Sequence, residues 1–162
     1  MATDFPAYIP RGVEATTPVF QYVPGQGATE VFVPGDLVFF SAGNDEMELC
    51  GIDPAIIGGF SEVDSEAHRV LTDDGRVPVR ILSGDTIVAM SSATTPVVAT
   101  HILVEYGITR NTSAPFNWLL DVAKTTTASR CTVVDVDVAE GIFYVRFHET
   151  ALQFTPSDSA QV

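Results

Sequence analysis

An all-β domain, a single compact β-barrel or β-sandwich with an extended proline-rich N-terminal arm, is predicted by three observations. Roughly ten short strand-like runs recur, with turn signals about every eight to twelve residues. Val, Ile, Thr and Phe are abundant and lysine is nearly absent, a mix that suits pleated, half-buried surfaces better than helices. Hydrophobic residues make up 46% and charged residues only 18% of 162, enough for one domain with a real core.

The arm spans residues 1–30. Pro6, Pro10, Pro18 and Pro24 interrupt it, so it cannot be a central strand throughout. Phe5, Tyr8, Ile9, Phe20 and Tyr22 give it adhesive side chains that a plain linker lacks. Two readings stay open: the arm orders on a partner, or it packs on its own barrel.

The all-β domain is expected over 31–155. Glu30–Val33 and Asp36–Ser41 read as strands, and Ala42-Gly43-Asn44-Asp45 as a turn. Met47–Ile52 is a short strand, Asp53-Pro54 a turn, and Ala55–Phe60 an apolar run. Ser61–Ala67 is an acidic loop.

The centre of the barrel is expected at Arg76–Ser92, two strands joined by Ser83-Gly84-Asp85. Val77, Val79 and Ile81 alternate with Arg76, Pro78 and Arg80. The Gly-Asp turn echoes Pro34-Gly35-Asp36, which marks both as architecture. His68–Thr72 should pair with Val77–Leu82 around Asp74-Gly75, placing Val70, Thr72, Val77 and Val79 on one face. Pro78 cannot donate to a ladder, so its strand is expected to have an open edge.

Thr95-Pro96 resembles a helix start, but Ile102, Leu103, Val104 and Tyr106 favour a strand over His101–Thr109. Phe116–Ala123 also reads as a strand. The last hairpin places Glu140-Gly141 in a two-residue loop. Val138 then faces Phe143, Val136 faces Val145 and Val134 faces Phe147, with Asp137 opposite Tyr144 and Asp135 opposite Arg146. Residues 156–162 form a flexible tail.

Few function classes survive this composition. A net charge of −13 repels phosphate backbones, so nucleic acid is not an expected partner. No apolar run of about 18 residues is present, so no membrane partner is expected. The first residues lack a basic segment followed by an apolar one, so no secretory signal is expected. Cys50 and Cys131 read as buried reduced thiols, with a disulfide as the alternative.

Asp135 and Asp137 read as an ion-paired exposed face opposite Arg146. Asp64, Glu66 and His68 alternate, which raises a metal-dependent hydrolase, although a solvated acidic loop explains them better. His101 and His148 lack suggestively spaced partners, and Cys131 carries no sign of activation beside His148. Trp118 and Tyr144 are candidate cavity aromatics for a ligand-binding barrel, more simply read as packing residues. No phosphate-binding glycine loop, C-x-x-C or nucleophile elbow occurs, and no cofactor or metal is called for.

Residues 31–154 resemble the small all-β capsid decoration (cement) proteins of tailed bacteriophages. The resemblance rests on VFVPGDLVFF, ELCGIDPAIIGGFSEV, VLTDDGRVPVRILSGDTIVAMSS, YGITRN, FNWLLDVAK and TVVDVDVAEGIFYVRF. Closest is the end of the chain: Tyr106-Gly107-Ile108, then Trp118–Asp121, a Thr-rich turn, and a Val-rich hairpin closing on Val145-Arg146-Phe147. The pattern is one of strands and turns, and it carries over neither catalytic nor contact residues.

It implies a β-tulip-like, non-enzymatic virion structural protein on the outer capsid surface, assembled in the bacterial cytoplasm. Its partners would be the major capsid protein and itself, as a homotrimer. Phe5, Tyr8, Ile9, Phe20 and Tyr22 are the residues expected to bind capsid or subunit. A tail or head-completion protein is the alternative, distinguished by a low copy number per particle.

Overall fold

The computed structural model describes residues 5–10, the backbone of 19–22, and residues 31–41, 46–64, 77–113, 117–125 and 128–154. The fold is nearly all β and has two layers. An antiparallel five-stranded sheet contains β1 (Val19–Tyr22), β2 (Leu37–Ser41), β3 (Glu46–Leu49), β4 (Gly59–Ser61) and β5 (Val77–Ile81), in the order β1-β5-β4-β2-β3. A closed barrel contains β6 (Ile87–Ser92), β7 (Glu105–Arg110), β8 (Trp118–Asp121), β9 (Cys131–Asp137) and β10 (Ile142–Phe147), in the order β10-β6-β8-β7-β9. One helical turn, α1 (Val98–His101), separates β6 from β7.

Strand β2 is covered on both faces. Leu37 and Phe60 join the barrel core with Val88, Met90, Ile108, Trp118, Leu120, Phe143 and Val145, and half-buried Phe39 packs against it. Val38, Met47, Val77, Val79 and Ile81 form a second core with Phe32. This explains why Leu37-Val38-Phe39-Phe40 shows no polar alternation: a strand covered on both sides reads as a continuous apolar run.

The stretch 76–92 joins the layers. Its two strands do not pair with each other; β5 belongs to the sheet and β6 to the barrel. It is therefore the crossover between them and not the barrel's centre. The turn before β6 does match the turn before β2, shifted by one residue from the Gly-Asp alignment. Asp36 N donates to Val33 O (3.0 Å) while Val33 N donates to Asp36 Oδ2 (3.0 Å). Thr86 N donates to Ser83 O (3.0 Å) while Ser83 N donates to Thr86 Oγ1 (3.2 Å). Asp36 thus corresponds to Thr86, and Asp85 is left exposed.

Residues 31–33 form no strand, because Val33 N is used by Asp36. Nor is β5 an edge: β1 and β4 pair with its two sides. Pro78 is tolerated because its carbonyl accepts from Glu62 N (3.1 Å) just past the end of β4, so its missing donor falls where that ladder stops. The expected partner strand, His68–Thr72, and the Asp74-Gly75 turn lie outside the described residues.

His101 is helical, and the strand begins only at Glu105. The His101 ring explains this, because its Nδ1 accepts from Val97 N (2.8 Å) at the start of α1. Leu103 then turns the chain with φ 64°. Trp118–Asp121 is a strand, as expected within 116–123.

The last hairpin has a different register. Asp137 pairs with Ile142, Phe143 with Val136 and Tyr144 with Asp135; a bulge follows, and Val145 pairs with Val133. The loop is longer because Asp137 Oδ1 accepts from Glu140 N (3.0 Å) and Gly141 takes φ 74°. The bulge at Val134 lets both Val136 and Val133 face inward. Val138, expected opposite Phe143, is 51% exposed.

Gly59 marks the tightest approach within the sheet. A β-carbon there would overlap the Arg80 carbonyl oxygen and come within 2.9 Å of Val79 Cγ1. Gly59→Ala should cost about 2–3 kcal/mol or more in urea unfolding followed by Trp118 fluorescence. Gly51→Ala, where a β-carbon meets nothing within 4 Å, should change stability by less than about 0.5 kcal/mol.

Candidate functional site

The side chains that carry chemistry are mostly engaged in structure. Cys50 and Cys131 are free and buried. Burial pushes both thiols far up, and the Asp36 charge adds to the effect at Cys50. Cys131 lies beside β10 but directs its thiol at Tyr106 O (3.4 Å), whereas His148 Nε2 contacts Thr132 Oγ1 (3.0 Å) on the other face. Glu105 Oε1 stands 3.9 Å from the same Nε2, and Ser129 Oγ donates to Glu105 Oε2 (3.2 Å). In a nucleophile–base–acid relay the acid holds the other ring nitrogen, so this cluster lacks that geometry.

Among the described residues no group of three or more His, Cys, Asp or Glu is placed to hold a metal. Asp64 is described; Glu66 and His68 lie outside the described residues. Trp118, 1% exposed, packs in the barrel core, and its Nε1 donates to Asp36 Oδ1 (3.3 Å).

Residues 5–10 lie along the outside of the barrel. Exposure alternates along this stretch: Ala7 and Ile9 are buried in the barrel core, while Pro6 and Tyr8 are exposed. Tyr8 and Ala89 of β6 exchange two backbone hydrogen bonds (3.1 and 2.7 Å), and Phe5 engages Ser91 Oγ. The segment covers the edge of β6 just before β8 takes over at Ser91 and Ser92.

Of the five residues expected to bind a partner, Ile9 is thus used by its own core. Phe5 and Tyr8 sit together at the surface with ring centroids 5.7 Å apart, Tyr8 being 43% exposed. Phe20 and Tyr22 are placed by backbone alone, in β1 against β5.

Two clefts border this segment. One, of about 450 Å³, is lined by residues 6–9 with Pro34, Gly35, Phe60, Ser61, Glu62 and Arg80. Arg80 Nε and Glu62 Oε1, 2.5 Å apart, pair beside it. The other, of about 520 Å³, is lined by Pro10, Ile87, residues 134–138 and Tyr144. Burial pushes the Tyr144 phenol up, with Tyr8, Asp137 and Asp135 adding to the effect. Arg146 is not opposite Asp135 as expected; it pairs with Asp85 and donates to Gly84 O (3.0 Å).

No protein-family model matches the chain, and neither a curated protein nor a solved structure is significantly similar to it.

The thiols give a pH prediction. A raised pKa means that the folded state keeps a proton the unfolded chain releases. Stability is therefore present below the ordinary thiol range and is lost as pH rises above about 8.5, at up to about 1.4 kcal/mol per pH unit for each thiol. Urea midpoints should fall over this range, and Cys50→Ala/Cys131→Ala should flatten the fall. A thiol reagent should label neither cysteine in the folded protein at neutral pH.

Proposed function

We propose that this chain is a non-enzymatic structural protein of a tailed-phage virion, which binds the outer capsid surface and stabilises it, as a trimer. The observation that carries the reading is the Phe5–Pro10 segment. Its backbone is locked to β6, its Ala7 and Ile9 are sunk in the core, and its Phe5 and Tyr8 remain at the surface. A rigid knob presenting a preordered aromatic pair loses little conformational freedom on docking. Aromatic side chains are the usual centres of binding energy at such contacts.

The sequence resemblance to decoration proteins supplies the lattice as partner. Symmetric repetition of a modest contact supplies avidity. A charge of −13 on a covered β domain also suits dense display on a particle, because like-charged neighbours resist nonspecific association.

The test is co-sedimentation with empty expanded heads. Removing residues 1–24 would be uninformative, since it would delete part of the core and β1. Phe5→Ala/Tyr8→Ser leaves Ala7 and Ile9 in place. The wild-type chain should sediment in many copies per head, and the double variant should bind about tenfold more weakly. A wild-type chain that stays in the supernatant overturns the reading.

A further inference from the structure

The larger cleft holds negative charge that no described residue neutralises. Asp135 uses Oδ1 to accept from Val136 N (2.8 Å), and Asp137 uses Oδ1 to accept from Glu140 N (3.0 Å). Among the described residues neither carboxylate has a cationic partner, and no lining residue is Lys, Arg or His. Arg146, the next outward-facing residue of β10 after Tyr144, is held by Asp85 and Gly84 O. The remaining lining is apolar: Pro10, Ile87, Val134, Val136 and Val138, with the ring of Tyr144.

We propose that this cleft binds an extended segment of a partner protein bearing an arginine or lysine flanked by aliphatic residues. Charge complementarity selects this occupant. The cation would lie between Asp135 and Asp137 and against the Tyr144 ring, where carboxylate pairing and cation–π attraction act together. Its alkyl stem and aliphatic neighbours would cover Ile87 and Val138.

Other occupants fit less well. A purely apolar ligand would desolvate two unpaired carboxylates. A hard cation such as calcium takes about six to eight oxygen ligands, which apolar walls do not supply. For the partner's identity the inference rests on the capsid reading above; for the chemistry it does not.

The test is an NMR titration of the ¹⁵N-labelled chain with acetyl-Val-Arg-Val-Arg-Val-amide and its citrulline counterpart, in low salt. The arginine peptide should shift the amides of residues 134–138 and 144, and binding should weaken as salt is added. Asp135→Asn/Asp137→Asn should weaken it about tenfold, as should citrulline. Asparagine keeps a carbonyl acceptor for the Val136 and Glu140 amides, and an unchanged thermal midpoint would show that the fold is retained.

Equal binding of the two peptides, an unaffected double variant, or shifts confined to another surface would overturn the inference. Failure of the wild-type chain to bind heads, with peptide binding intact, removes the capsid reading and leaves the cleft standing. A wild-type chain that binds heads but not the arginine peptide does the reverse.

Discussion

A buried carboxylate holds the two layers together. Asp36 lies at the entrance to β2, in the sheet, with its side chain fully covered. Arg110 at the end of β7 donates to it through Nε and Nη2, each at 3.2 Å, and Trp118 at the start of β8 donates through Nε1. Val33 N completes the set. One side chain thus ties residues 74 and 82 positions away in sequence to the turn that leads into β2. A buried ion pair contributes little net stability beside an apolar replacement, but breaking one half strands a charge at a cost of about 3–5 kcal/mol. The pair therefore selects one arrangement of sheet on barrel more than it strengthens it.

The same constraint shows which parts of the fold were legible in the sequence. Strands with one-sided burial announced themselves: Val77, Val79 and Ile81 alternate, and all three are buried. The Gly-Asp turns were visible, but the equivalence of Asp36 with Thr86 was not. It depends on which side chain accepts the amide three residues back, and spacing hides that. The last hairpin was found with a wrong register, because a bulge at Val134 restores inward facing without leaving a mark in a Val-rich run. Residues 101–104 were misread as strand because β-branched and aromatic composition favoured one, while the His101 side chain supports a helical turn locally.

The surface was only partly legible. Aromatic residues in a proline-broken arm suggested adhesion, and Phe5 and Tyr8 are at the surface. The alternation that sends Ala7 and Ile9 inward was present in the sequence and was obscured by Pro6 and Pro10. Asp135 and Asp137 looked paired with Arg146; the register is shifted and Asp85 holds Arg146, so among the described residues neither carboxylate has a cationic partner. Meanwhile the residues that first suggest catalysis have structural partners: both thiols are buried, and His101 caps its own turn and packs edge-on against Phe143. The clefts beside residues 5–10 combine aromatic and aliphatic side chains with the Arg80–Glu62 pair on one side and Asp135 and Asp137 on the other, a mix that suits recognition of another protein.

The central structural claim is that Asp36 and Arg110 act as one unit joining sheet to barrel. A double-mutant cycle with Asp36→Asn and Arg110→Met, read by urea unfolding of the Trp118 signal, tests it most directly. The coupling should be about 2 kcal/mol or more, with each single variant losing more than its share of the double. Losses that add within about 0.5 kcal/mol would contradict it.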